Sequence, residues 1–123
     1  PHQIHSYRAF YQVVPENKVH AGYENVFEKL RDPSHHKVYT EAEWRGMLAE
    51  AGLEVWHTEI FPKRHDFYHW AKVQHCSQAT IEFLIAMLKA APPEVVEWLD
   101  PQGFDGESPS FVNRHIIVAG RKG

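Results

Sequence analysis

The tightest constraint on this chain lies near its middle. Thr40 and Glu43 form a T-x-x-E capping box. Trp44, Met47, Leu48 and Ala51 follow at helical spacing, and Gly52 supplies a left-handed stop. Residues 53–61 (LEVWHTEIF) start directly afterwards and read as a strand, with Leu53, Val55 and Phe61 on one face and Trp56 and Ile60 on the other. Apolar residues on both faces predict a strand covered on both sides, central in a sheet or beneath helices.

Residues 7–14 (YRAFYQVV) are aromatic and β-branched and stop at Pro15, as a short strand does. Tyr23, Val26, Phe27 and Leu30 predict an amphipathic helix over 21–30 with those four residues inward, closed by Asp32-Pro33-Ser34. After a polar turn at Pro62-Lys63-Arg64, a helix is expected from residue 66 to about 76, gathering Phe67, Trp70 and Ala71. Ser77 can cap a helix over 78–90. There Phe83 and Met87 widen the apolar sector of Ile81, Leu84, Ile85 and Leu88, so burial on more than one side is expected. Pro92-Pro93 starts a short helix through Trp98 and Leu99. Residues 100–110 are a loop and 111–119 a last strand. The order is strand, helix, helix, strand, three helices, strand, which is α+β or a piece of an α/β fold.

No repeat, low-complexity tract or linker divides the 123 residues, a length that suits one domain. With 43% hydrophobic and 24% charged residues the chain is globular, and a net charge of −3 argues against a general nucleic-acid binder. No apolar run approaches the roughly 20 residues that span a bilayer, and no signal-peptide pattern opens the chain. Cys76 is the single cysteine, so no internal disulfide forms. A cytoplasmic protein without membrane or nucleic-acid partners is expected. The chain opens on Pro1 rather than Met, as a processed or excised product does.

Ten histidines invite a metal reading. His65 and His69 fall at i, i+4 on the expected helix, but no Glu follows His65 and no cysteine pair supports them, so no metal site is expected there. His35-His36 and the terminal His2 and His5 lack a third ligand at a telling spacing, and His57 reads as packed in its strand. Cys76 has His75 beside it, yet helical neighbours point about 100° apart. Asp100, Asp105 and Glu107 lack EF-hand spacing. No G-x-S-x-G elbow or Gly-rich phosphate loop occurs. The four tryptophans read mostly as core; Phe67 and Trp70 are also placed to line an apolar pocket.

LRDPSH (residues 30–35) followed by YTEAEWRGMLAEAGLEV (39–55) closely resembles the C-terminal half of class I, type-11 S-adenosylmethionine-dependent methyltransferases of small molecules. The likeness continues through HDFYHW (65–70), APPEVVEWL (91–99) and the closing VAGRKG, and VVPENK (13–18) resembles the stretch leaving that family's fifth strand. The resemblance implies one α+β domain over 1–123 with about three strands and five helices. Its partial Rossmann-like sheet spans 13–61 and 111–119, the last strand lying antiparallel between the other two, and residues 66–99 form a substrate-covering helical insertion. It places His35, Tyr39, Phe67 and Trp70 on the side facing a substrate. The family holds its methyl donor with a Gly-rich turn after the first strand and an acid ending the second, and neither is in this sequence. PHQIHSYRAFYQ also departs from the aliphatic run usual for the fifth strand.

Three readings follow. The chain is an orphan or truncated half with no methyl transfer of its own; or it is the substrate-binding half of a split methyltransferase, active once the missing half is supplied; or it is a small-molecule or metal-binding module. The first is preferred, so no cofactor and no catalytic residue are assigned to the isolated chain. A homodimer is also expected, because without the first half residues 7–14 become an open sheet edge bearing Tyr7, Phe10 and Tyr11.

Overall fold

The computed structural model describes residues 5–122. The elements run β1 (His5–Val13), α1 (Lys18–Arg31), α2 (Glu41–Glu50), β2 (Glu54–Asp66), α3 (Phe67–Val73), α4 (Gln78–Lys89), α5 (Pro93–Leu99) and β3 (Ser110–Lys122). The sheet order is β1-β3-β2, and β3 is antiparallel to both neighbours. The fold is α+β with the last strand between the other two, as the resemblance implies. The N-terminal segment, whose residues depart from the usual fifth-strand pattern, nevertheless pairs along β3 from His5 to Val13. Backbone hydrogen bonding accepts its aromatic residues as readily as aliphatic ones.

Local signals are realised where they rest on backbone chemistry. Thr40 caps α2 with both halves of its capping box made, and Gly52 takes φ +89° at the exit. Asn17 caps α1 by accepting from the Val19 and His20 amides, so this helix begins earlier than the apolar spacing indicates. Ser77 caps α4, and Pro93 occupies the first turn of α5.

Three expectations are corrected. Residues 62–64 are strand, not turn: β2 runs on to Asp66, which caps α3 by accepting from the His69 amide at 2.9 Å. Pro62 is tolerated because β2 is a sheet edge, where a missing N–H need not interrupt a central ladder. His65 therefore lies on a strand and His69 on a helix, so the supposed i, i+4 pair does not share one helix. Second, β2 is not covered on both sides; Trp56 is 58% exposed beside a bulge between Val55 and His57. Third, Phe83 is exposed, and α4 buries one face through Ile81, Leu84 and Leu88.

Two apolar clusters result. α2 covers one face of the sheet, with Trp44 and Leu48 against Val13, Ile116 and Val118. Beyond the end of β1, the helices around the extended β2–β3 ribbon enclose Phe27, Phe67, Trp70, Leu84, Leu99 and Phe111. Phe111 is the hub, with its ring 4.8 Å from Trp70, 5.6 Å from Phe27 and 6.3 Å from Phe67. Arg31, from the LRDPSH segment, lies over the Trp70 ring at 4.4 Å and donates from Nε to the Trp70 carbonyl, tying α1 to α3. Among the described residues no helix is long and apolar enough to cross a membrane.

Candidate functional site

One region of the interior is polar. His20, Glu24 and Glu28 recur every fourth residue on the face of α1 turned inward, and are 2%, 0% and 3% exposed. The helix is rotated from its expected setting: Tyr23 and Phe27 face in, while Val26 and Leu30 are exposed. His20 Nε2 lies 3.1 Å from Glu24 Oε1. The Gln12 amide on β1 donates to Glu28 Oε1 at 2.8 Å and Glu24 Oε2 at 3.5 Å. Burial pushes the Glu24 carboxyl up; the His20 hydrogen bond opposes this, and the neighbouring Glu28 charge adds to it.

On the same sheet face Gln12 is in register with His115 of β3. Buried Asn113 accepts at Oδ1 from His65 Nε2 at 2.8 Å and from His115 Nε2 at 3.0 Å. The amide oxygen can only accept, so both rings present an Nε2–H to it. Burial, then the charges of Lys63 and His65, lower the His115 pKa and so favour its neutral imidazole. Two hydrogen-bonded polar groups, one joining α1 to β1 and one joining β3 to β2, thus meet at the Gln12–His115 register position. Burying polar groups costs stability unless they are bonded, and such clusters gather at functional sites.

His20 of this cluster also lines a cleft just beyond the carboxyl end of β1, the strand end at which α/β sheets bind ligands. This cleft, of about 420 Å³, is lined by Asn17, His20, Glu94, Glu97, Trp98 and Arg114, together with Pro15. A second cavity, of about 460 Å³, lies between α1 and the following loop, with an apolar floor of Val26 and Leu30 and a basic rim that includes Lys29 and His35.

The four residues placed by resemblance are divided among these regions. His35 lines the second cavity with its Nε2 buried and unpartnered. Tyr39 packs edge-on to Trp44 at 5.2 Å, beside α2. Phe67 and Trp70 meet at 5.9 Å inside the helical core. His20, Glu24, Glu28, Gln12, Asn113 and Arg114 were not singled out by sequence reasoning. The one available signal was the four-residue spacing of H-x-x-x-E-x-x-x-E, which resembles a solvated helix face. Cys76 donates to the Arg31 carbonyl at 3.4 Å, and burial raises its thiol pKa, which disfavours the thiolate. Among the described residues no three His, Cys, Asp or Glu side chains converge as a metal set.

No protein-family model and no curated protein matches the chain. Solved structures do match it. A candidate methyltransferase from Bacillus halodurans is 28% identical with TM-score 0.86, over 95% of this chain and 55% of that one. The YcgJ protein from Bacillus subtilis is 22% identical with TM-score 0.86, over 95% of this chain and 50% of its own. The chain spans about half the length of these structures and has a methyltransferase-like fold, consistent with a C-terminal half.

Proposed function

We propose that these 123 residues are the acceptor-covering half of a small-molecule methyltransferase fold, that alone they transfer no methyl groups, and that they associate as a homodimer. The observation that carries this reading is the alignment of nearly the whole chain with about half of a methyltransferase-like structure. A buried polar cluster whose His20 lines the cleft beyond the carboxyl end of β1 supports an acceptor-side role, because a few placed polar groups are what orients a small molecule in such a cleft.

The residues present do not fit S-adenosylmethionine. β1 leaves the sheet through Val14-Pro15-Glu16-Asn17, and β2 passes straight into α3. Neither exit has the glycines that let backbone approach a cofactor at a helix N-terminus. Calorimetric titration of the chain with S-adenosylmethionine should give no saturable heat; micromolar binding would overturn this reading. A lone, half-buried Cys76 suits a reducing, cytoplasmic setting.

The homodimer rests on surface left without cover. Phe10 is 63% exposed on β1, whose outer edge has no described strand partner. Ile117 and Phe61 share its sheet face, opposite α2. Tyr7 is also exposed, whereas Tyr11 stacks inward on Trp44 at 3.9 Å. Pairing across a twofold axis satisfies the edge and covers the face. Light scattering at micromolar concentration should give twice the 14.3 kDa chain mass, and Phe10→Lys should return it to monomer. A monomeric wild type would refute the dimer. The same surface suits a separate first-half chain, and co-elution with such a half in place of self-association would favour the split-enzyme reading.

A further inference from the structure

The charged residues around the cleft between the N-terminus of α1, α5 and β3 divide by sign. Arg114 is half-buried, with its guanidinium 4.8 Å from the Trp98 ring centroid and its Nε donating to the Trp98 carbonyl at 3.3 Å. It pairs with no carboxylate among the described residues. A guanidinium cannot shed its proton, and the Trp98 carbonyl takes up only its Nε–H, so the rest of its donor fork has no carboxylate partner and is open to an anion. Asn17, the cap of α1, stands in the same wall, and the first turn of α1 carries no acid to offset its positive end. The Trp98 indole N–H is buried without a partner.

The α5 wall is opposite in charge. Glu94 and Glu97 are exposed there and pair with no cation among the described residues. Two carboxylates lining the same cleft as one guanidinium disfavour a phosphate dianion, whereas a molecule carrying both signs matches both walls. We infer that this cleft binds a small amino carboxylate, its carboxylate on Arg114, its ammonium at Glu94 and Glu97, and its apolar part against Trp98. The inference rests on the proposed function only in making that molecule the methyl acceptor; binding itself needs no donor.

The test is a ¹⁵N NMR titration of the chain with L-phenylalanine, with phenylacetate (no ammonium) and with phenethylamine (no carboxylate). Phenylalanine should move the Trp98 indole and Arg114 Nε resonances saturably, and each half-ligand should bind about tenfold more weakly. Arg114→Gln should lose about tenfold in phenylalanine affinity, with Arg114→Lys recovering part of it. Changing the exposed pair Glu94→Gln and Glu97→Gln should reduce phenylalanine to the level of phenylacetate without risk to the core. No saturable shift at Trp98 and Arg114, equal binding of phenylacetate, or unchanged affinity in the doubly substituted α5 variant would overturn the inference. These resonances report on the cleft whether or not S-adenosylmethionine binds, so failure here and failure of the half-enzyme reading are told apart.

Discussion

Phe111→Ala is expected to cost about 3–5 kcal/mol of folding stability, the usual range for truncating a buried phenylalanine. Its ring has no exposure and joins Phe27, Phe67 and Trp70, which come from two different helices. Removing it leaves a cavity where β3 meets the helical layer, and the flanking rings cannot collapse together without moving α1 or α3. A domain of this size has about 5–15 kcal/mol in total, so the loss is a large part of the whole. Urea unfolding followed by near-ultraviolet circular dichroism measures it. Phe83→Ala, which removes an exposed ring of the same chemistry, should stay within about 0.5 kcal/mol. Equal costs for the two substitutions would show that the aromatic hub does not organise the helical layer.

Glu24→Gln should stabilise the chain at neutral and alkaline pH, and by more as pH rises. Burial raises the Glu24 pKa above its ordinary 4.5, so the folded chain holds that proton more tightly than the unfolded chain. Between the ordinary and the raised value the folded state binds more protons, and stability must fall as pH rises through that window. Below it both states are protonated and the contribution is fully present. Glutamine keeps the shape of the protonated acid and cannot ionise, so the difference in Tm between variant and wild type should widen with pH and then level off. Each tenfold difference in proton affinity between the folded and unfolded chain corresponds to about 1.4 kcal/mol, several degrees in Tm for a domain of this length. Melting curves at several pH values for both proteins decide it. A gap that narrows with rising pH would show that Glu24 is instead stabilised as the anion by His20 and Gln12.

The interior therefore serves two ends. Phe111 belongs to the part that holds the fold. Glu24 belongs to a part that costs stability at neutral pH and would be replaced by apolar residues if packing were its only role. The same tension appears at His65, Asn113 and His115, where a sheet position that could carry three apolar side chains carries a hydrogen-bonded imidazole pair.

The order of strands and helices was legible in the linear chain where boundaries are local chemistry. The Thr40–Glu43 box, the Ser77 cap, the Pro93 start and the Gly52 stop act within one helical turn, or at its edge, whatever packs nearby, whereas the Asn17 and Asp66 caps and the run of β2 through residues 62–64 emerged only from the structure. The position of the last strand between the others came from the resemblance of residues 30–55, not from periodicity. Burial is different in kind, because it depends on what stands opposite a side chain. Val26 and Leu30 look inward by spacing and Glu24 and Glu28 outward, yet with Tyr23 and Phe27 kept inward the docking of Glu24 and Glu28 on Gln12 shifts the buried face onto the acids. Trp56 and Phe83 look like core and are exposed because no neighbouring element reaches them. His65, Asn113 and His115 stand up to 50 residues apart, and Arg114 meets Trp98 across a loop; only strand register and helix docking bring such groups within hydrogen-bonding or stacking distance.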